Sequence, residues 1–496
     1  MRDNVTLQQL LDFLGVKTTV VEQQVVDLKL DNREVKSGDV FIALSGFHVH
    51  GLDYAYQAER AGAVAVLAEP AKPGRAASVG RQKPLQIPVI EVANLSEQLG
   101  PLASYFYGEP SKDLAVTAIT GTNGKTSTAW LMMHALEQLG VKTGYIGTLG
   151  VGDINGLKVL QNTTPSALEI QKNLAKMKAQ GIAHVCIEVS SHALDQNRFV
   201  GTHIENAVFT NLSRDHLDYH KTMKDYGKAK LKLFTDFSAN NLIINVDDEY
   251  GAKWVKQDLE KGRVKTYGVK REVSDYLASA ITLKPEGIAF SLTHEGEAIE
   301  FQTSLLGQFN VENSLAVIAC LHTLGFGLAA LQAVVAGLQP VPGRMNRINM
   351  PDDQTIVVVD YAHTPDALEQ VLKALRDHVE HELWCVFGCG GNRDKGKRPM
   401  MGAIAEKYAD HVVLTDDNPR FESSSQILAD IEFGMKTKPH VISDRKQAIT
   451  YVVDKSQKGD IILVAGKGHE STQEVNGELY EFNDIDVVKT ILQVAV

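Results

Sequence analysis

The sequence predicts an α/β protein of about three domains, with much of its β-structure in parallel sheets. Apolar strand-like runs alternate with helical stretches along nearly the whole chain, which is typical of sheets covered by helices. At ~100 to 200 residues per domain, a chain of 496 residues corresponds to about three domains. Clusters of turn residues at 107–112 and 337–343 interrupt the pattern and predict domains over residues 1–112, 113–340 and 341–496.

Composition and charge exclude several classes of protein. The chain is 44% hydrophobic and 22% charged, which is too apolar for a disordered segment. Its 50 lysines and arginines are outnumbered by 61 acidic residues, so the net charge of -11 lacks the basic footprint of a nucleic-acid-binding protein. No uncharged apolar run approaches the ~20 residues of a membrane span. We therefore expect a soluble cytoplasmic protein that binds neither nucleic acid nor membrane.

The four cysteines are expected to be buried free thiols. Cys186, Cys320, Cys385 and Cys389 lie mostly in apolar runs, and few cysteines in a long chain do not suggest a disulfide framework. Cys385 and Cys389 are four residues apart, but no second Cys/His pair with ligand spacing accompanies them. The sequence therefore predicts no metal site at these cysteines.

The strongest local signal is a glycine loop between a predicted strand, 114–120, and a helix. The loop reads Gly121, Thr122, Asn123, Gly124, Lys125, Thr126 and Ser127. Such a loop presents backbone N–H groups to phosphate, with lysine for the outer phosphates and Thr126 for magnesium. The standard spacing GxxxxGK[ST] is not met, because Ile119 occupies the place of the first glycine. An ordinary helix-starting turn would explain the two glycines but not the Lys-Thr pair, so ATP binding is predicted.

Two further residues lie at predicted strand ends and could hold a divalent cation. Glu188 follows the apolar run 183–187, and His216 comes shortly after the run 207–210. Oxygen and nitrogen ligands beside a phosphate loop would suit a cation on the nucleotide. For His216 alone, a hydrogen-bonded loop histidine is the competing interpretation.

Four predicted strands of the third segment end in polar loops, which makes these loops candidate site loops because ligands of open α/β sheets bind beyond the carboxyl ends of strands. The loops begin near residues 360, 388, 416 and 466.

Ten motifs in this order resemble the Mur ligase family: GTNGKT, NTTP, EVSSHALDQNR, NLSRDHLDYH, GQFNVEN, VPGRM, DYAHTPDAL, GCGGNRDKGKRP, DNPR and GKGHE. The resemblance covers essentially the whole chain, and the last two motifs narrow it to members that add the third residue of the peptidoglycan stem peptide. It implies an N-terminal uridine-binding α/β domain, a central P-loop ATPase domain with mainly parallel sheet, and a C-terminal Rossmann-like α/β domain. It also implies an ATP- and Mg²⁺-dependent amide ligase, and we expect the protein to be a monomer.

The resemblance implies a catalytic set of Lys125, Glu188, His216 and Lys230. The family pattern Y-x-x-A-K corresponds here to Tyr226 through Lys230, and its lysine is carbamylated in the family. The Lys230 carbamate would then hold one magnesium ion together with Glu188 and His216, while Thr126 would serve another. Without the family, an ordinary solvated lysine on a lysine-rich helix would be the favoured interpretation.

The resemblance also assigns substrate contacts. UDP-N-acetylmuramoyl-L-alanyl-D-glutamate would contact Leu30, Asn32, Phe47, His48, Val49, Asn162, Thr163, Thr164, Ser190, Gln196 and Arg198. Further ATP contacts would be Asn310, Asn313, Arg344, Asp360 and His363. Helix capping is the competing interpretation for the threonines and for Asn310 and Asn313. The usual Asp-Ser-Arg is replaced by Asp-Asn-Arg at 31–33, and the pair His48 and His50 is predicted to bind no metal.

The acceptor amine would be chosen in the third domain. The resemblance assigns meso-diaminopimelate to Arg393, Asp417, Asn418, Pro419, Arg420, Gly466 and Glu470, with an arginine fork for a carboxylate and a glutamate for an ammonium. The expected preference over lysine is at least ~100-fold. The reaction would pass through an acyl phosphate. Competing interpretations are another acceptor such as lysine or a recycled tripeptide, a folylpolyglutamate or cyanophycin synthetase, and a non-catalytic nucleotide-sugar sensor.

Overall fold

The chain divides into two compact units, Met1–Thr266 and Tyr267–Val496. The structure, a computed structural model, describes residues 4–46, 49–71, 84–160, 162–349 and 355–492. Within these residues, no helix has both the length and the apolar character that crossing a membrane requires.

The first unit begins with a small parallel sheet. Its four strands follow the order Leu28–Lys29, Val40–Ala43, Ala65–Ala68 and Val89–Glu91. The helices are Leu7–Phe13, Ala55–Ala61 and Leu95–Phe106, and short 3-10 segments cover Asn32–Glu34 and Gly51–Tyr54. The two central strands are buried throughout because apolar clusters pack on both faces of the sheet. Near-continuous apolar strands are typical of such a doubly covered parallel sheet.

A larger sheet in the same unit carries the predicted phosphate loop. The part of this sheet in the first unit has the strand order Val264–Gly268, Ala239–Asn245, Ile204–Phe209, Ala115–Thr120, His184–Glu188, Thr143–Gly147, Gly150–Asp153 and Gly156–Lys158. The strand Val264–Gly268 runs two residues past the end of the unit. The strands from Ala239–Asn245 to Thr143–Gly147 are parallel, and the last two form an antiparallel extension. The helices are Lys125–Gln138, Ala167–Ala179, Ser191–Asp195, Leu217–His220, Met223–Thr235 and Glu249–Gln257, with 3-10 turns at Pro110–Lys112 and Lys261–Arg263. Parallel pairing brings the ends of three site strands to one edge of the sheet.

The second unit contains an antiparallel and a mainly parallel part. The antiparallel strands are Tyr276–Lys284, Gly287–His294 and Glu297–Thr303, followed by the helices Phe309–Thr323 and Leu328–Ala336. The second sheet has the order Asn346–Asn349, Ile356–Asp360, Ile461–Ala465, Leu383–Phe387, His411–Leu414 and His440–Val441, and only its first pair is antiparallel. Its helices are Pro365–Arg376, Lys397–Tyr408, Ser424–Glu432, Arg445–Lys455 and Asp484–Ile491, and a hairpin pairs Thr472–Val475 with Glu478–Glu481.

Both faces of this second sheet are covered. Along Ile356–Asp360, Ile356 and Val358 pack into one apolar cluster, while Val357 and Val359 pack into another on the opposite face. This alternation follows from the two-residue period of a strand. The predicted α/β class with mainly parallel sheet is confirmed, whereas the antiparallel strands over 276–303 were not predicted. The four cysteines are buried and free, as predicted.

The predicted strand bounds need small corrections. The strand before the glycine loop begins at Ala115 rather than 114. The strand that ends at Glu188 includes that residue, and the next site strand begins three residues earlier than predicted, at Ile204. These shifts leave the polar residues at the strand ends.

Candidate active site

The predicted phosphate loop lies between the strand Ala115–Thr120 and the helix Lys125–Gln138. Gly124 adopts a left-handed φ of 82°, and a Cβ on Gly121 would overlap the hydroxyl of Thr210, so both positions favour glycine. The N–H groups of the first helical turn have no partner within the helix. Such N–H groups are what a helix N-terminus uses to bind an anion.

Lys125 holds this loop in its present form. Its Nζ donates to the carbonyl oxygens of Gly121 and Thr122, both at 2.9 Å. Burial lowers the pKa of Lys125, while the negative charges of Glu188 and Asp215 oppose that shift. Within the described residues the hydrogen-bond partners of this buried ammonium are carbonyl oxygens, so it is well placed to exchange them for a phosphate oxygen.

A neighbouring segment braces the loop from the other side. Thr210 Oγ1 donates to the Asn123 carbonyl at 2.6 Å, and the Asn123 N–H donates to Asn211 Oδ1 at 3.0 Å. The Thr122 hydroxyl lies 3.1 Å from the hydroxyl of Tyr226. Of the residues that brace the loop, Thr210 and Asn211 were not singled out as site residues from the sequence.

Glu188 is buried at the end of its strand and accepts hydrogen bonds on both oxygens. Thr126 Oγ1 donates to Oε2 at 2.8 Å, and the Thr148 N–H donates to Oε1 at 2.9 Å. Tyr145 also donates to Oε1, and burial together with the adjacent carboxylate raises the pKa of Tyr145. The structure thus brings the predicted metal ligands Thr126 and Glu188 together, and adds Tyr145 and Thr148 as residues that orient the carboxylate.

Lys230 is buried against the phosphate loop, with 1% of its surface exposed. Its Nζ donates to the Gly121 carbonyl at 2.7 Å and lies 4.8 Å from the ring centre of Tyr226. The interpretation of Lys230 as an ordinary solvated lysine is therefore wrong. Burial, and then the positive charge of Lys125, lower the pKa of Lys230 well below its usual value. This shift favours the neutral amine, the form that can react with CO₂.

His216 occupies a more open position. Its side chain is 45% exposed, its backbone φ is 53°, and it precedes the short helix Leu217–His220. Its Nε2 lies 3.4 Å from Asp215 Oδ2, and its ring contacts those of His192 and Tyr226 at 5.0 and 6.0 Å. In the described part of the chain, His216 makes no hydrogen bond to Glu188 or Lys230. Asp215, whose charge reaches both Lys125 and Lys230, was missed by the sequence reasoning.

Four of the predicted dipeptide-binding residues form one connected cluster. Thr164 Oγ1 donates to the Glu188 carbonyl at 2.8 Å and accepts from the Ser190 N–H at 3.0 Å. Arg198 donates to the Thr164 carbonyl at 3.1 Å, and its Nε donates to Gln196 Oε1 at 3.0 Å. Gln196 in turn donates to the hydroxyl of Tyr219, which was not predicted.

The capping interpretation is wrong for all four residues to which it was applied. The helix Ala167–Ala179 is capped by Ser166 in a capping box with Glu169, so Thr163 and Thr164 do not cap it. Asn310 and Asn313 lie inside the helix Phe309–Thr323, whose N-cap is Gln308. Their amides are buried: Asn310 Nδ2 donates to the Leu306 carbonyl and Asn313 Nδ2 to Asn310 Oδ1. Thr163 lies 3.1 Å from the hydroxyl of Thr148, and Asn162 is exposed.

The predicted uridine-binding residues are only partly described. Leu30 and Asn32 are partly exposed, Val49 is exposed, and Phe47 and His48 lie outside the described residues. Asp31 caps the 3-10 turn that begins at Asn32. His50 uses both ring nitrogens, because Nδ1 accepts from the Leu52 N–H at 3.1 Å and Nε2 lies 2.9 Å from the Glu69 carbonyl.

In the second unit, Asp360 is buried and holds a turn. It accepts hydrogen bonds from the N–H groups of Met345 at 2.8 Å and Ala362 at 2.7 Å, and burial raises its pKa. Arg344, next to this turn, is exposed. His363 is partly exposed, and its Nδ1 lies 3.0 Å from the Tyr361 carbonyl.

The predicted acceptor residues come from loops that follow three neighbouring parallel strands, which places them at one edge of the sheet. Asn418 Nδ2 donates to Glu470 Oε2 at 3.0 Å. Lys467, which is fully buried, donates to Asn418 Oδ1 at 3.1 Å and to Glu470 Oε2 at 2.9 Å. The structure therefore brings Asn418 and Glu470 into direct contact, and Lys467, which was not predicted, bonds to both.

Arg420 and Arg393 both lie beside the glycine turn that follows Leu383–Phe387. Arg420 Nη1 donates to the Gly391 carbonyl at 3.0 Å, and Arg393 is exposed. A Cβ on Gly390 would lie 2.9 Å from Arg420 Nη1 and 3.7 Å from Arg393 Cγ, so this glycine leaves room for both side chains. Asp417 is buried, with its pKa raised by burial, and lies close to Gly466, whose added Cβ would be 3.0 Å from Asp417 Oδ2.

A fully buried ion pair supports these loops. Arg445 donates to Asp484 through Nε and Nη2, both at 2.7 Å. It also donates to the carbonyls of Asp416 and Ala465, which begin two of the acceptor loops. Sequence reasoning missed this pair because neither residue belongs to a motif.

Comparison with known proteins covers nearly the whole chain. Residues 25–107 match the catalytic domain of the Mur ligase family, residues 119–321 the Mur ligase middle domain, and residues 343–468 the Mur ligase glutamate ligase domain. A protein of Xylella fastidiosa named UDP-N-acetylmuramoyl-L-alanyl-D-glutamate--2,6-diaminopimelate ligase is 43% identical over 500 residues, which are 99% of this chain and 98% of the relative. The chain belongs to the Mur ligase family.

A further relative and two solved structures agree with this family membership. A Coxiella burnetii protein with that name is 42% identical over 98% of this chain and 99% of its own. A solved structure with that name has a TM-score of 0.78 at 36% identity, covering 99% of both chains. A Mur ligase structure from Thermotoga maritima, solved in complex with ADP, has a TM-score of 0.58 at 17% identity and supports the fold alone. The predicted membership and three-part α/β architecture are confirmed, while the individual residue roles stay predictions.

Proposed function

We propose that this Mur ligase joins meso-2,6-diaminopimelate to the γ-carboxylate of D-glutamate in UDP-N-acetylmuramoyl-L-alanyl-D-glutamate, with ATP as the energy source. The observation that carries the proposal is the glycine loop with Lys125, Lys230 and the Thr126–Glu188 pair gathered around it. The names of full-length relatives support the choice of substrates. Peptidoglycan precursor synthesis would be its role.

The chemistry follows from the energetics of amide formation, which is uphill in water. The glutamate γ-carboxylate attacks the γ-phosphorus of ATP, ADP leaves, and an acyl phosphate forms. An amine of diaminopimelate then attacks the acyl carbon, and the tetrahedral intermediate expels phosphate. Lys125 would bind the transferring phosphoryl group, whose charge is the main feature to be stabilised in such a transfer. Within the described residues, the site is built for this positioning rather than around a nucleophilic side chain.

The donor set fits a magnesium ion. Thr126 and Glu188 place a hydroxyl and a carboxylate oxygen 2.8 Å apart, and Mg²⁺ prefers oxygen ligands. His216 and Lys230, the latter as a carbamate, are proposed to hold a second ion together with Glu188. A bound Mg²⁺ would neutralise phosphate charge. The lowered pKa of Lys230 supports carbamylation, because only the neutral amine reacts with CO₂.

The substrate contacts are proposed as predicted. Arg198, Gln196, Ser190 and Thr164 would hold the dipeptide. The hydrogen bonds that join these residues to one another and, through Thr164, to the Glu188 carbonyl support this assignment. The remaining UDP-sugar contacts, and the ATP contacts at Asn310, Asn313, Arg344, Asp360 and His363, rest on the resemblance. A monomer acting in the cytoplasm, with domains over 1–112, 113–340 and 341–496, is also proposed, and the three matched family segments support that division.

Phosphate release tests this function. Purified protein is supplied with ATP, Mg²⁺ and UDP-N-acetylmuramoyl-L-alanyl-D-glutamate, and with meso-diaminopimelate, L-lysine or an intact tripeptide in separate reactions. We expect phosphate release that requires the UDP-dipeptide and is fastest with meso-diaminopimelate. Faster release with lysine or tripeptide would assign another acceptor, and no release with any amine would indicate a non-catalytic sensor.

A further inference from the structure

Glu474 contacts the proposed acceptor-binding arginine with both its backbone and its side chain. Arg420 Nε donates to Glu474 Oε2 at 2.9 Å, and the Arg420 N–H donates to the Glu474 carbonyl at 3.0 Å. The Glu474 N–H donates to Asn418 Oδ1 at 2.9 Å. Glu474 belongs to the hairpin strand Thr472–Val475, outside every motif that the sequence brought forward.

The hairpin also fixes the backbone of Arg420. This residue has a left-handed φ of 53°, which is uncommon for a residue with a side chain. The Asn476 N–H donates to the Arg420 carbonyl at 2.7 Å, and Arg420 forms an isolated parallel bridge with Val475. Because these contacts are made by backbone atoms, they persist when the Glu474 side chain is changed. The carboxylate of Glu474 therefore has a separate task from holding the hairpin.

The hydrogen-bond partners of the five N–H groups of the Arg420 guanidinium indicate that task. Glu474 takes the Nε–H, and the Gly391 carbonyl takes one N–H of Nη1. Among the residues that the structure describes, the edge formed by Nη1 and Nη2 keeps three N–H groups without a partner, which is enough for a bidentate carboxylate. The side chains of Arg420 and Glu474 are 20% and 30% exposed, so the pair lies at an accessible edge rather than in a closed core.

We propose that Glu474 is a positioning residue that sets acceptor selectivity by holding Arg420 with its terminal edge toward the carboxylate of the acceptor. The proposal rests on the proposed function, since it needs Arg420 to bind that carboxylate. Glu474 also keeps the guanidinium paired when no acceptor is present, which lowers the cost of keeping it partly buried. Lysine has no second carboxylate, so its use should be insensitive to Glu474.

Three substitutions of Glu474 separate the effect of its side-chain length from the effect of its charge. Glu474→Gln keeps an oxygen within reach of Nε, Glu474→Asp keeps the charge but shortens the side chain, and Glu474→Ala removes both. Glu478 is the matched control, because it lies on the other strand of the same hairpin and accepts a hydrogen bond from Tyr480 at 2.7 Å. Thermal unfolding of each variant establishes that it is folded. If the alanine variant does not fold, the Asp and Gln variants carry the test.

The measured quantity is the ratio of kcat/KM for meso-diaminopimelate to that for lysine. Removing an outer residue that orients a binding group typically costs about 10- to 100-fold, as measured for metal ligands. We expect the ratio to fall about tenfold in Glu474→Ala and Glu474→Asp, through a higher KM for meso-diaminopimelate, and to recover largely in Glu474→Gln. Glu478→Gln should leave the ratio unchanged. A merely structural role would lower kcat/KM for both amines equally and leave their ratio intact.

A double-mutant cycle completes the test. In an Arg420→Ala background, Glu474→Ala should have no further effect on the ratio. An unchanged ratio in the Glu474 single variants, together with a reduced one in Arg420→Ala, would overturn the role of Glu474 and leave the acceptor clamp standing. An unchanged ratio in Arg420→Ala itself would overturn both.

Discussion

Replacing Arg420 with alanine should remove most of the selectivity for meso-diaminopimelate over lysine. The two amines differ at the far end, where only meso-diaminopimelate has a carboxylate. The Nη1–Nη2 edge of Arg420 can donate hydrogen bonds to one such carboxylate, since Nε already donates to Glu474 and one N–H of Nη1 donates to the Gly391 carbonyl. A hydrogen bond to a charged group contributes about 1.5 to 3 kcal/mol. At about 1.4 kcal/mol per tenfold, this corresponds to roughly 10- to 150-fold in selectivity.

The structure lowers the selectivity for meso-diaminopimelate that the sequence led us to expect. A preference of at least ~100-fold assumed that lysine would leave a buried guanidinium unpaired. Glu474 keeps that guanidinium paired, so this penalty is smaller, and we expect a loss of about 10- to 100-fold in Arg420→Ala. Arg420→Lys should recover only part of it, because an ammonium lacks the planar fork.

The assay compares kcat/KM for both amines by phosphate release at saturating ATP and UDP-dipeptide. Arg376 offers a matched control, because it also pairs with one carboxylate, Asp410, and one carbonyl, that of Tyr408. Arg376→Ala should keep the selectivity of the unmodified protein. Equal use of both amines by the unmodified protein, or unchanged selectivity in Arg420→Ala, would refute the role of Arg420.

Three further predictions concern the metal site, the first unit and stability. Lys230→Ala should abolish ligation with the fold intact, and a short carboxylate such as acetate at high concentration should restore part of the activity; full activity in the variant would contradict the carbamate. Protein purified without added metal should contain no stoichiometric zinc bound by His48 and His50, which elemental analysis measures, and zinc that disappears in His48→Ala would show this prediction to be wrong. Asp484→Ala should lower the free energy of unfolding by about 3 to 5 kcal/mol, because it leaves the buried charge of Arg445 unpaired, and a change below about 1 kcal/mol in chemical denaturation would contradict this expectation.

Local signals in the sequence predicted the phosphate loop well. The loop, the strand before it and the helix after it are adjacent in the chain, so their chemistry can be read from one short segment. The place of Glu188 in the candidate site could also be predicted, because an acidic residue that ends a buried strand must point into a site or be neutralised. The observed cap of the helix Ala167–Ala179 also had a signal in the sequence, since Ser166 and Glu169 form the S-x-x-E pattern of a capping box.

Residues whose roles depend on distant contacts could not be predicted. Lys230 is buried where its side chain reaches the Gly121 carbonyl, more than a hundred residues earlier in the chain, whereas the neighbouring lysines indicated a solvated face. Glu474 meets Arg420 because a hairpin packs against the loop after His411–Leu414. Lys467 meets Asn418 because the loops that carry them follow strands of one parallel sheet and lie at the same edge. No periodicity or motif spacing encodes such pairings.

The most direct test of the central claim is the mass and stoichiometry of the product. The protein is incubated with ATP, Mg²⁺, UDP-N-acetylmuramoyl-L-alanyl-D-glutamate and an equal mixture of meso-diaminopimelate and L-lysine, and the products are resolved by mass spectrometry. We predict a UDP-tripeptide whose mass increases by that of diaminopimelate less one water, with one ADP and one phosphate formed per product. A product dominated by lysine, or ATP hydrolysis without any UDP-tripeptide, would contradict the account.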